Sequence, residues 1–227
     1  MFRTNIIFFV TILLLYIKEI EMKKLITFVA AAAAFSTSAF AQSGVTDTGL
    51  NYNEVGATYQ TTKFDITDNG NASTMTVKGY GINGSYMLDK NFYVLGSTGT
   101  TSKSFDDGKF TVNMSQAGVG YRLGLAKNVD GFATVSYVSV AFKDTTPNGD
   151  PKHTETGHNL TAGVRALVMP GFDVTAAAVN LKVGDSSASN GYALGLGYEL
   201  TPSLVARINY TSLSDVAFTT VGLGYKF

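Results

Sequence analysis

From about residue 50 to residue 227, bulky apolar and small or polar side chains alternate with a period of two, in short runs separated by turn residues. The last run shows the rule. Leu223, Tyr225 and Phe227 point to one face, and Gly222, Gly224 and Lys226 to the other. The same grammar recurs in Gly195-Leu196-Gly197-Tyr198-Glu199-Leu200 and in Gly118-Val119-Gly120-Tyr121-Arg122-Leu123. Strands that turn large apolar residues outward and keep glycine and charge inward invert the soluble pattern. A transmembrane β-barrel needs that inversion, because lipid surrounds it and its narrow interior is polar.

Ten such segments are expected, at residues 50–63, 74–88, 92–103, 110–123, 131–142, 156–169, 172–183, 191–200, 204–212 and 216–227. The fold class is therefore all-β, a single antiparallel up-and-down transmembrane barrel of about ten strands. Tight turns are expected at 89–91, 124–130, 170–171 and 201–203, and longer polar loops at 64–73, 104–109, 143–155 and 184–190. Short turns at one end and longer loops at the other fit an outer-membrane barrel. An even strand number brings both ends of the barrel to the turn side. Tyr192, Leu194, Leu196, Tyr198 and Leu200 are expected outside, as are Leu204, Ala206, Ile208 and Tyr210, and also Leu160, Ala162, Val164, Ala166 and Val168. Segments 3 and 7 alternate too poorly to assign a facing.

Facing fixes the candidate chemistry. Glu54, Arg122, Arg165, Glu199, Arg207 and Lys226 are expected in the lumen, with Gln116 beside them. Glu199 and Arg207 flank a tight turn with matching parity and are expected to meet diagonally. Lys226 and Glu54 are expected to approach where the barrel closes. Buried charges need partners, so these groups read as a structural plug, with a narrow ion pathway as the alternative. Tyr86, Tyr121, Tyr198 and Tyr225 recur at one offset from strand ends. That placement suits an aromatic girdle, rings in lipid and hydroxyls wet.

Composition narrows the function classes. The chain has 24 Gly, 12 Tyr, 15 Phe and no Cys, and only 15% of its residues are charged. Disulfides and Cys-based sites are excluded. Met22-Lys23-Lys24, an Ala-rich apolar run to Phe35 and Ala39-Phe40-Ala41 before Gln42 make a secretory signal peptide. Residues 22–41 are therefore expected to be cleaved between Ala41 and Gln42, residues 1–21 to be an upstream start-site extension, and residues 42–227 to form the barrel. Cleavage leaves 13 basic against 15 acidic residues, no footprint for nucleic acid. The two histidines, His153 and His158, carry no catalytic spacing, and Asp144, Asp150 and Glu155 match no twelve-residue calcium loop. No cofactor, metal site or catalytic residue is expected.

The leader, the alternating segments, the Gly-x-Gly-Tyr strand ends and the terminal Phe227 together resemble the small bacterial outer-membrane β-barrel superfamily, which includes the OmpA transmembrane domain and the OmpX/Ail-type proteins. Ten strands depart from the eight usual there. The resemblance implies a place in the Gram-negative outer membrane, among lipid and lipopolysaccharide. It implies that Leu223, Tyr225 and Phe227 form the signal read by the barrel-assembly machinery. It also implies a structural or surface-interaction role through exposed loops, without enzymatic activity. The omptin Asp-x-Asp and Asp-x-His pairs and the His-x-Ser pair of lipid A deacylation do not occur in the chain.

Overall fold

The computed structural model of the chain describes residues 48–68, 71–106, 108–145, 152–185, 187–214 and 216–227. The expected extension 1–21, the signal peptide 22–41 and its cleavage point lie outside the described residues, as do Asp107 and Asp150. Ten strands follow in order: β1 (Glu54–Asp68), β2 (Asn71–Met87), β3 (Phe92–Phe105), β4 (Gly108–Ala126), β5 (Val129–Asp144), β6 (His153–Met169), β7 (Phe172–Val183), β8 (Ser189–Thr201), β9 (Leu204–Leu213) and β10 (Val216–Lys226). Each pairs antiparallel with its chain neighbours. β1 closes on β10 from Glu54↔Lys226 to Phe64↔Val216, so the sheet has no free edge. Among the described residues no helix is long and apolar enough to cross a membrane; strands make the wall.

The turn end follows local chemistry. The Asp89 carboxylate accepts the backbone N–H groups of Asn91 and Phe92 at 2.7 and 2.8 Å, closing the β2–β3 turn. Those two bonds hold its carboxyl below the usual carboxylate range. Between β6 and β7, Gly171 takes the left-handed conformation (φ 75°) that the residue after Pro170 needs. The expected turn 124–130 is tighter than read, because β4 runs on to Ala126 past a register shift at Gly124.

Two expected loops are strand over most of their described residues. β1 and β2 stay paired out to Asp68↔Asn71, and β3 and β4 out to Phe105↔Gly108. Ser104 and Lys109, polar and exposed, read as loop only if the wall is assumed to face lipid throughout. β3 and β7, unreadable from sequence, alternate regularly: Tyr93 and Leu95 point in, and so do Asp173, Thr175, Ala177, Val179 and Leu181. The sequence obscured β7 because both of its faces are apolar for half its length.

β4 makes the reason plain. Its outward residues are Thr111, Asn113 and Ser115, then Ala117, Val119, Tyr121, Leu123 and Leu125; its inward ones are Val112 and Met114, then Gln116, Gly118, Gly120 and Arg122. Polarity swaps faces halfway down. The outward apolar run from Ala117 to Leu125 covers about 20 Å of height at ~3.3 Å per residue and ~40° tilt, a little under the ~25 Å lipid-facing band of outer-membrane barrels. Toward the loop end an apolar cluster fills the interior, including Val112, Met114, Val138, Val140, Leu181 and Phe218.

The first segment also differs from its reading. β1 begins at Glu54, and residues 48–53 turn into the barrel, where Thr48, Leu50 and Tyr52 are buried. Leu50 and Tyr52 pack on Met87, Tyr93 and Leu95. Asn53 pins the entry, its side-chain oxygen accepting the Met87 N–H at 2.7 Å.

Candidate functional site

The charged side chains meet in one layer inside the turn end. Parity puts them there. Each is an inward position on its strand, and the surrounding lumen positions are often glycine, which leaves room for long side chains to lie along the wall. A Cβ at Gly197 would overlap the Arg207 guanidinium and the Asp173 carboxylate, and one at Gly224 would overlap the Glu54 carboxylate. The repeated Gly-x-Gly therefore serves close approach.

Arg165 of β6 grips Asp173 of β7 with two donors, Nε at 2.8 Å and Nη2 at 3.0 Å. Arg207 of β9 donates from Nη1 to both oxygens of the same carboxylate at 3.1 Å, and from Nη2 to Glu54 of β1 at 3.0 Å. Asp173 thus bridges two arginines, and Arg207 bridges two acids across the barrel. Arg122 of β4 pairs with Asp130 of β5 at 3.0 Å, both fully buried. Lys226 pairs with Glu199, at the rim of the layer. Four cations face four carboxylates, and the forked arginine geometry satisfies several lone pairs at once.

The structure therefore holds Glu54, Arg122, Arg165, Glu199, Arg207 and Lys226 on the inner side of the barrel, but two expected partnerships are exchanged. Arg207 stands opposite Gly197 in register and reaches Asp173 and Glu54, not Glu199. Lys226 stands opposite Glu54 in register, yet its ammonium goes to Glu199. The reason is length and direction. Arginine spans the lumen and takes the deeply buried carboxylates, whereas lysine reaches toward the half-exposed rim.

Asp130, Asp173 and Tyr52 were missed by sequence reading. The two aspartates begin strands directly after tight turns, where an acid reads as turn chemistry. Each lies eight residues beyond its arginine across a hairpin, and that spacing was the available signal. Tyr52 carries no such mark. Its ring lies between the guanidinium groups of Arg122 and Arg165, with centroid distances of 5.3 and 5.7 Å, and stacks at a tilt on Tyr93. The Asn51 carbonyl accepts from Arg165 at 2.9 Å, and Thr48 Oγ1 accepts from Arg122 at 3.5 Å. Residues 48–53 are thereby woven into the ion layer.

On the outer wall Tyr86, Tyr121, Tyr198 and Tyr225 are all exposed, and Phe92 and Phe227 join their level. Leu223, Tyr225 and Phe227 share that outer face. A second aromatic level, not read from the sequence, stands nearer the loop end. It contains Tyr59 stacked at a tilt on Tyr80 (5.1 Å), Tyr192 near Tyr210 (6.3 Å), and Tyr137. The histidines lie on opposite faces of β6, since their spacing of five is odd. His153 contacts Glu155 at 2.5 Å, while His158 is outward beside Tyr137 and Lys182. They cannot act together. Among the described residues no three His, Cys, Asp or Glu side chains gather as metal ligands.

Residues 27–227 match the family model described as the outer membrane protein beta-barrel domain. Similar solved structures include Ail, the attachment invasion locus protein of Yersinia pestis, at 17% identity, covering 77% of this chain and 99% of that one with a TM-score of 0.37. Neisserial surface protein A is similar at 14% identity, 77% and 96% coverage and a TM-score of 0.41. The N-terminal β-barrel domain of Pseudomonas aeruginosa OprF is similar at 11% identity, 77% and 98% coverage and a TM-score of 0.38. No curated protein sequence matches this chain. With the family model matched over most of its length, the chain belongs to the outer-membrane protein β-barrel family.

Proposed function

We propose that this protein is a non-enzymatic structural or surface-interaction protein of the Gram-negative outer membrane, with its loop end outside the cell and a lumen that does not conduct. The observation that carries the reading is the ion layer with residues 48–53 threaded through it. Every charge named there has an opposite charge within ion-pair distance, and Tyr52 fills the space between two arginines. An ion entering such a layer would have to displace these pairs and carry its own desolvation cost.

Support for the surroundings comes from the outer wall. The band between the two aromatic levels suits lipid, with the acyl chains of lipopolysaccharide on the outer side. Leu223, Tyr225 and Phe227, aligned on that wall at the end of the last strand, suit recognition by the barrel-assembly machinery. The loop end beyond the band is the surface available to an extracellular partner.

Planar-bilayer recording on the refolded chain tests the central point. Wild type is expected to be silent. A steady current that changes on Arg122→Ala or Arg207→Ala would establish a narrow channel for ions or small solutes instead. Recovery from the membrane fraction only with detergent, and a heat-dependent shift in gel mobility, test the membrane assignment separately.

A further inference from the structure

The outer wall differs from one side of the barrel to the other. Six outward residues on successive strands, from β3 to β8, stand directly opposite one another: Phe92, Tyr121, Ala133, Ala162, Ala178 and Tyr192. Phe92 begins β3 at the turn end, and Tyr192 lies three residues past the loop-end start of β8. The row therefore climbs between the two aromatic levels, as strand tilt requires. Three consecutive alanines make its middle, so the wall is sunk between Tyr121 and Tyr192 over four strand spacings, about 19 Å. The result is an apolar groove of about 640 Å³. On the opposite wall no such run forms, because Leu223 separates Ala57 from Ala206.

The next two rows toward the loop end change character along their length. The first runs through Val119, Val135 and Leu160 to Asn180 and Asn190, whose side-chain amides bond to each other at 2.7 Å. Both asparagines line the groove. The second row ends in Tyr137, His158 and Lys182, all exposed. Among the described residues neither His158 nor Lys182 has a carboxylate partner. The groove thus opens, at its loop-side end, onto two amides, a phenol, an imidazole and an uncompensated ammonium.

We propose that this groove binds one phosphorylated glycolipid of the outer leaflet, lipid A in its chemistry, with an acyl chain over Ala133, Ala162 and Ala178 and a phosphate on Lys182 and His158. An acyl chain is slim and flexible enough to lie in a slot between projecting rings, and small residues let it approach the backbone. Lys182 offers the phosphate a point charge, while the asparagine amides and the Tyr137 hydroxyl suit the sugar hydroxyls. A second copy of the chain fits less well. In one membrane the two-fold axis runs along the membrane normal, so equal heights meet, and Lys182 and His158 would face their own copies. The inference deepens the proposed function and rests on its placing of the loop end outside the cell, where the outer leaflet carries such lipid.

Native mass spectrometry of the refolded chain, in detergent mixed with bisphosphorylated lipid A, counts retained lipid. Wild type is expected to keep one molecule. Lys182→Ala/His158→Ala, which leaves the groove intact, and Ala162→Leu/Ala178→Leu, which fills it, are each expected to weaken retention about tenfold. Lys78→Ala and Ala57→Leu, outward on the opposite wall, should leave it unchanged. Dephosphorylated lipid A should bind wild type no better than Lys182→Ala/His158→Ala, and phosphatidylglycerol should be kept more weakly than lipid A. Heat-dependent gel mobility reports folding of each variant; the two double variants alter opposite ends of the site, so either one decides if the other fails to fold. A folded wild type that keeps no lipid A, equal retention of lipid A and phosphatidylglycerol, or folded double variants that match wild type overturns the site. A wild-type chain recovered without detergent and lacking the heat-dependent shift would instead sink the membrane reading, so the two failures are separable.

Discussion

The turn-end half and the loop-end half of this barrel are built from the same strands and hydrogen-bond ladders, yet they are inside-out with respect to each other. In the turn-end half leucine, valine and tyrosine face out and arginine faces in. In the loop-end half threonine, serine, asparagine and lysine face out, and valine, leucine, methionine and phenylalanine face in. The backbone cannot account for this, since it is continuous across the boundary. The external solvent can. Where lipid surrounds the wall, apolar side chains lose nothing by facing out and charge must hide and pair. Where water surrounds it, the ordinary core returns. The barrel thus behaves as a membrane protein for part of its height and as a soluble barrel above it.

The contrast can be broken hardest at Asp173. Asp173→Ala leaves Arg165 and Arg207 short of their shared acceptor in a dry layer, an expected loss of about 3–5 kcal/mol in urea unfolding from lipid vesicles. An unchanged midpoint would mean that the layer is wet and weakly coupled. Next comes a matched pair of leucines. Leu181, 0% exposed in the apolar cluster, should lose about 2–5 kcal/mol on change to Ala through the cavity left behind. Leu196, 46% exposed on the outer wall, should lose much less, because lipid refills its place. Equal losses would deny that the two halves meet different solvents.

A charge placed outward sharpens the boundary further. Leu196→Lys, inside the lipid-facing band, is expected to cost about 2–4 kcal/mol near the bilayer midplane. The same lysine at Ser139, outward on the loop-end half, should be close to neutral. The smallest effect is expected at the turn itself. Asp89→Ala removes the acceptor of two backbone donors and should lower the unfolding midpoint slightly. Because folding depresses the carboxyl pKa of Asp89, its contribution is present above the unfolded pKa and is lost as pH falls through the folded one. The difference between wild type and variant should therefore vanish in acid.

Much of this was legible without coordinates. Short segments between turn residues located all ten strands, most of them by period-two alternation, and the facings of β6, β8 and β9 follow from parity alone, because a strand's geometry admits no other reading. Arg122, Arg165 and Arg207 lie at inward parity for the same reason. The reading failed where the solvent changes partway along a strand. β7 looked patternless because Ala177, Val179 and Leu181 face a core while Val174 and Ala176 face lipid, and polar outward residues near the loop end passed for loop. It failed again at residues 48–53, since alternation cannot tell a strand from a segment that folds into the lumen.

What the sequence alone determined is the side of the wall on which each side chain stands, because that depends only on odd and even position. Which charges pair, and that Asp173 rather than Glu199 receives Arg207, were decided by closure of the barrel. Those depend on distances across a lumen between strands as far apart in the chain as Glu54 and Arg207, and no local pattern contains them.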